Sequence, residues 1–583
     1  MPFARPAIIA RSNLKPFGKK KQMIWKVGNQ YRPSFTFKCW PMDWAWRKTR
    51  WKREIGETSM DDTVKTTSGE VQGFKKSSGI NAFLGIPYGE STAGDRRFLP
   101  PVPAKPWIGI RSAKAYGPSC PQGKPTLPPQ DPASIKDLDA PVGEDCLVLN
   151  IWTPGFDDGK KRPVMVWLHG GGFQVGCGSH PVTDGENLAL RGDVVVVSLN
   201  HRLGIYGFLR LDEVCGPAFA GSGVAGMLDI VLALEWVRDN IAAFGGDPKN
   251  VTIFGESGGG RKVGVLMAMP KAKGLFHRAI IQSGPHPRCV PGDAGTRMAE
   301  LFFAYLGLTA GDVASLQKLS KRELFNHFHK FIETVDDPLL VKGNAGRWLI
   351  SPVVDGTYLP AHPFSPAAPE GSHVPLMIGT NKDEAALFLS YEENLANLDD
   401  AQLIKRLSSV LGDRAQQVLE IHRKNRPEDS PYDLLSAISS EDRRLLSIET
   451  AETKVKQGGA PVYMYFFTWE SNQGLLKAAH TMEIPFVFRT LGVTDITGTK
   501  EDQFPLSDII SDTWIAFARN GNPNHATLPH WETYDLEKRA TMIFDSPCRL
   551  EYDPWSEERL AWKEAPPKMP WEGKVFVSAM MKK

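Results

Sequence analysis

At 583 residues, 42% hydrophobic and 23% charged, the chain has the composition of an ordinary globular protein with enough apolar side chains for a sizeable core. No stretch approaches the roughly 18 consecutive apolar residues that a membrane helix needs, so no membrane span is expected. The net charge of +3 conceals an asymmetry: residues 1–59 hold 14 Lys or Arg against Asp43, Glu54 and Glu57, an excess of 11 that leaves −8 for the remainder.

The basic prefix contains "GKKKQ" and "WAWRKTRWKR", and tryptophans among basic residues can bind nucleic acid or anionic membrane. The plainer reading is preferred: a disordered extension, or translation assigned too far upstream, since Met60 opens "MDDTVKTTSGEVQGF" like the start of a folded domain. No nucleic-acid partner is therefore expected. No apolar h-region with a small-residue cleavage site follows Met1 or Met60, and the expected setting is cytoplasmic. The division expected is a basic extension over 1–59, one catalytic domain over 60–555 and a tail over 556–583. Seven cysteines are too few and too scattered for a disulfide scaffold, and none forms a CxxC pair suited to zinc, so no metal site is expected.

From about residue 64 the sequence alternates strand and helix. "RPVMVWLHGGG" reads as a buried strand entering a glycine loop, and "DVVVVSLNHR" as a second strand too uniformly apolar to have a solvated face. "GMLDIVLALEWVRDNIAAF" repeats apolar residues at helical spacing, "GGDPKN" stops it with turn chemistry, and "VTIF" is the next strand. Later strands are predicted at "VPLMIGT" and "PVYMYFF". Between these two, "LDDAQLIKRLSSVLGDRAQQVLEIHRK" reads as helix, and "AGDVASLQKLSKRELFNHFHKFIETV" precedes them as another. This order predicts an α/β fold: a mostly parallel, doubly wound sheet with helices on both faces and its ligand site at the carboxyl ends of the strands.

"VTIFGESGGGRKVG" breaks from strand into a serine set among glycines, the pattern of a nucleophile elbow on a strand-to-helix turn. Ser257 is the candidate nucleophile. An attacked carbonyl needs donors aimed at the developing oxyanion, and the glycines of "LHGGGF" together with Gly258 can expose N–H groups to the same pocket. The hydroxyl also needs a base, itself oriented by an acid, in the chain order serine, acid, histidine. "MIGTNKDEAALF" offers Asp383 and Glu384 after a predicted strand, and either carboxylate could serve. His480, on the loop after "PVYMYFF", competes with twelve other histidines.

These segments, with "RFLPPVPAKPW", "GEDCLVLNIWTP", "NHRLGIYGFL", "HRAIIQSG" and "HTMEIPFVF", resemble the type-B carboxylesterase and cholinesterase family of α/β-hydrolases over most of residues 64–555. The resemblance implies Ser257 as nucleophile, Glu384 as acid and His480 as base. It also implies an oxyanion hole from Gly171, Gly172 and Gly258, Ser283 as a supporting residue behind the triad, and a disulfide between Cys120 and Cys146. Two departures stand out. Thr481 follows the histidine where the family usually has glycine, and the segment before "EDCL" lacks the tryptophan that holds choline in cholinesterases. The activity implied is cofactor-free hydrolysis of small-molecule carboxylic esters through an acyl-enzyme. Short-acyl or small aromatic esters are expected, because the loop between Cys120 and Cys146 is rich in proline and charge and cannot present the apolar lid of a lipase. Amide or carbamate cleavage is the alternative on the same residues. A non-catalytic adhesion module is set aside because all three triad residue types are present.

Overall fold

Residues 164–168 of the strand after "KKR" show how the core is divided: Val164, Val166 and Leu168 enter one hydrophobic cluster while Met165 and Trp167 enter another. Side chains alternate across a strand, so both faces of the sheet are covered. The computed structural model describes residues 62–123, 141–335, 337, 350–392 and 394–562. The basic extension 1–59, residues 124–140 of the loop between Cys120 and Cys146, and the tail from 563 lie outside the described residues.

Among the described residues there are two sheets. The strands Thr63–Lys65 (β1), Glu70–Gln72 (β2) and Ile110–Ser112 (β5) form a three-stranded sheet. The main sheet has eleven strands: Phe74–Lys75 (β3), Asn81–Pro87 (β4), Val148–Thr153 (β6), Arg162–Leu168 (β7), Val195–Leu199 (β8), Gly246–Glu256 (β9), Arg278–Gln282 (β10), Leu376–Asn381 (β11), Val462–Phe467 (β12), Ala540–Phe544 (β13) and Arg549–Tyr552 (β14). Their order is β14-β13-β12-β11-β10-β9-β7-β8-β6-β4-β3. All neighbours from β13 to β8 are parallel, and antiparallel strands close both edges. The helix Ala225–Asn240 packs Met227, Ile230, Leu234 and Val237 into the first cluster, and the helix Gln503–Asn520 packs Leu506, Ile510, Trp514 and Phe517 into the second. The expected doubly wound α/β sheet with helices on both faces is therefore the observed one.

Some readings are corrected. The helix read through 398–424 is two helices, Asp400–Leu411 and Ala415–Asn425, parted at Gly412, whose φ of +58° favours glycine. The segment "GGDPKN" does not simply end a helix: all but its first residue belong to β9, where Arg162 pairs with Gly246 beyond a register shift. The helical run Pro217–Phe244 is long and apolar enough to cross a membrane by composition, yet 83% of its most apolar 18-residue window is buried within the protein, as a core helix is. The domain end read at residue 555 is followed by the helix Ser556–Ala561, in which Glu558 and Ala561 are buried.

Candidate active site

Four segments leave the carboxyl ends of the parallel strands together: the glycine loop after β7, Ser257 after β9, the acid loop after β11 and the histidine loop after β12. Ser257 caps the helix Gly258–Leu266 with φ +54° and ψ −117°, a conformation a non-glycine residue adopts only when its surroundings hold it there. Its N–H donates to Gln282 O at 2.8 Å and its carbonyl accepts from Arg261 N–H at 3.0 Å, so the elbow is fixed by main chain from both sides. A Cβ built on Gly258 would stand 2.2 Å from Gly172 O, so the turn after β9 and the loop after β7 touch backbone to backbone. Gly171, at φ +84°, leaves no room either, with Val175 O 2.3 Å from its would-be Cβ. No described backbone carbonyl accepts from the N–H groups of Gly171 or Gly172, and with the first N–H of the serine helix they form a set of free donors.

His480 is buried, and its Nδ1 lies 2.5 Å from Oε2 of the fully buried Glu384. Glu384 Oε1 accepts from Asn381 N–H at 2.9 Å. The sequence left Asp383 and Glu384 open as acids, and here they have different tasks. Asp383 Oδ2 accepts from Ala478 N–H at 3.2 Å, Asp383 N–H donates to Ala478 O at 3.0 Å, and Asp383 forms a bridge with Ala479. Asn381 Nδ2 adds a bond to Ala479 O at 2.7 Å. Residues 381–383 thus splint the loop that carries His480, and of the two candidate acids it is Glu384, not Asp383, that touches the imidazole.

The other ring nitrogen, Nε2, faces Glu256 Oε1 at 3.2 Å, and among the described residues no hydrogen bond joins it to Ser257 Oγ. Ser257 is partly exposed between these groups. Catalytic hydrogen bonds are often long or unformed before substrate binds. Thr481 takes φ +72°, the left-handed region that the family's glycine would occupy without strain.

Three glutamates are buried within this cluster, and their charges separate. Burial opposes the Glu384 charge, yet the neighbouring His480, then Arg443 and the Ser283 hydroxyl, hold it below the usual carboxylate range. Ser283 does this from close by without closing a hydrogen bond of standard geometry. Burial, followed by the negative Glu483 and Glu384, pushes Glu256 well up. Burial and then Glu384 raise Glu483 to about 7, and its oxygens take Gln282 Nε2 and Asn381 Nδ2. Burial lowers His480 to about 4, helped by Arg443 and Arg261 and opposed by Glu384. The imidazole is therefore neutral at neutral pH, as a base must be. Glu256 and Glu483 lie within the serine and histidine motifs, where no sequence signal sets them apart, and Arg443 lies in the helix Pro431–Gln457, which is not among the predicted elements.

Two further expectations concern other groups. Cys120 and Cys146 are free buried thiols rather than a disulfide, and Cys120 beside it, with burial, pushes the Cys146 thiol well up. His422, Glu441 and Glu558 bring ligand atoms within 4.8 Å of one another, but Arg426 holds Glu558 and Arg444 holds Glu441, each through two hydrogen bonds, so both carboxylates are already matched by a guanidinium.

Residues 60–558 match the model of the carboxylesterase family. The chain is 37% identical to the para-nitrobenzyl esterase of Bacillus subtilis over 85% of its own length and 97% of that protein's. It is 32% identical to the phenmedipham hydrolase of Pseudarthrobacter oxydans, covering 82% of this chain and 94% of the relative. Among solved structures, a Geobacillus stearothermophilus carboxylesterase superposes with a TM-score of 0.72 at 36% identity, over 86% of this chain and 100% of the other.

Proposed function

The chain belongs to the carboxylesterase family and hydrolyses carboxylic esters, and from that premise we propose that Ser257, His480 and Glu384 carry the reaction. Ser257 Oγ attacks the ester carbonyl while His480 Nε2 turns from Glu256 to take its proton. The N–H groups of Gly171, Gly172 and Gly258 hold the oxyanion, whose charge is worth most to stabilise in a water-poor site. The alcohol leaves with the proton from His480, and water repeats the sequence on the acyl-enzyme to release the acid. The observation that carries this reading is the 2.5 Å contact of His480 Nδ1 with Glu384, beside a serine held at positive φ. An organophosphonate should add covalently to Ser257, located by peptide mapping, and Ser257→Ala should abolish both labelling and turnover. Labelling of another serine defeats the assignment.

The substrate class we propose is soluble short-acyl or small aromatic esters. The composition of the Cys120–Cys146 loop supports it, as does the similarity to a para-nitrobenzyl esterase. Rates on p-nitrophenyl esters of increasing chain length and on emulsified triglyceride test it, and activation on the emulsion would mark a lipase instead. Amide or carbamate cleavage stays the second reading, because a triad sets the reaction and not the leaving group. Phenmedipham, which names one relative, belongs in the panel.

A further inference from the structure

Arg443 stands at the triad without belonging to it. Its Nη1 is 3.7 Å from Glu384 Oε2, the oxygen that His480 Nδ1 approaches at 2.5 Å. That is too long for a hydrogen bond and well within the range of a strong charge interaction in a buried setting. The guanidinium carbon lies 5.0 Å from the centroid of Phe388, and the same ring lies 5.3 Å from the centroid of His480. One aromatic ring therefore touches both the arginine and the histidine. Nη1 is buried with no hydrogen-bond partner, and the side chain is 14% exposed. An arginine serving only to pack would leave that nitrogen unsolvated with no return, and the next residue shows the usual arrangement, with Arg444 forked onto Glu441.

We propose that Arg443 is a positioning residue for ester hydrolysis, whose guanidinium holds the carboxylate of Glu384 against Nδ1 of His480. The proposal rests on the triad reading above. Its logic is electrostatic. Glu256 at the end of β9, Glu384 after β11 and Glu483 after His480 are three buried glutamates in mutual repulsion, and no more than one is easily kept ionised. The other groups facing this space are Arg261 on the serine helix, Asp442 beside Arg443, and Tyr465 on β12. Glu384 has the Arg443 nitrogen within ion-pair distance, and of the three glutamates it is the one held below the usual range. The same positive charge opposes imidazolium formation, which keeps His480 free to act as base in mild acid.

The test is a double-mutant cycle in the full chain, with Arg443→Met, Glu384→Gln and both together. Arg443→Met is expected to lower kcat about tenfold with KM nearly unchanged, and to raise the acid-side midpoint of the kcat/KM profile by about one unit. In the Glu384→Gln background it should lower kcat no further. Arg443→Lys, which keeps the charge, should hold the midpoint near that of the wild type. Equal losses in both backgrounds, or an unmoved midpoint, overturn the proposal. If Glu384→Gln alone retains full kcat, it is the triad reading that fails. Should Arg443→Met not fold, Arg443→Gln removes the same charge and takes its place in the cycle, judged by the same outcomes.

Discussion

Nε2 of His480 lies 3.2 Å from Oε1 of Glu256, the residue immediately before Ser257, the proposed nucleophile. Burial and two neighbouring glutamates push Glu256 well above the usual carboxylate range, which favours its neutral form beside the imidazole. A glutamine at this position keeps a neutral donor, whereas a glutamine in place of Glu384 removes the charge that orients and stabilises the imidazolium. Glu256→Gln should lower kcat/KM less than about tenfold, and Glu384→Gln at least about a thousandfold. Steady-state kinetics on one ester at pH 7 decide it, and a reversed ranking would show Glu256 to be the acid partner.

Asp383 is expected to matter for stability rather than turnover. Its carboxylate accepts from Ala478 N–H, and Asp383→Asn keeps an oxygen there but loses the charge that faces Lys382 at 3.5 Å. The loss should be about 1–3 kcal/mol of stability with kcat within about threefold of the wild type. Thermal melts and kcat measured well below Tm separate the two effects, and a large fall in kcat with an unchanged Tm contradicts the splint.

The pH dependence follows from the buried histidines. His480 is lowered to about 4 from an ordinary value near 6.5, so kcat/KM should persist below pH 6.5 and fall with a midpoint near 4. His169, His201 and His286 are also lowered, burial being the first cause in each. Between pH 6.5 and their folded values these groups bind protons only in the unfolded chain. Their contribution to stability is thus full above pH 6.5 and is lost as pH falls. Tm should drop across the interval in which short assays at low temperature still show activity. An activity midpoint near 6.5 in folded protein refutes the assignment of a strongly desolvated base.

Thr481 offers a substitution expected to help. A β-branched residue at φ +72° is strained by about 1–2 kcal/mol, partly offset by the extra backbone entropy that glycine loses on folding. Thr481→Gly should raise Tm by a few degrees or leave it level, and kcat should not fall. A lower Tm would mean that the threonine side chain makes compensating contacts in that loop.

The legibility of the sequence followed the range of each signal. The central strands were readable because β7, β8, β11 and β12 are apolar on both faces and short, and Ser257 because glycines flank it at fixed spacing. The choice between Asp383 and Glu384 was not readable from the residues alone, since it turns on contacts with residues 478–480, nearly a hundred positions away. The helix Pro431–Gln457 went unread because one of its flanks is against the sheet while buried Ser436, Ser439, Ser440 and Ser447 interrupt the apolar period. Arg443 went with it. A buried polar network leaves no periodic trace.

The backbone contact between Gly258 and Gly172 has a consequence for how this enzyme can diversify. Where two loops meet with no space for even a methyl group, the positions drop out of the set that selection can sample, and the proposed oxyanion cradle is inherited as a fixed template. New acyl or alcohol preferences must then arise from side chains outside it, by changes that never alter the reacting centre. A saturation library spanning both kinds of position should return glycine alone at the first and a wide spectrum at the second, so the cradle positions give such a library its own internal calibration.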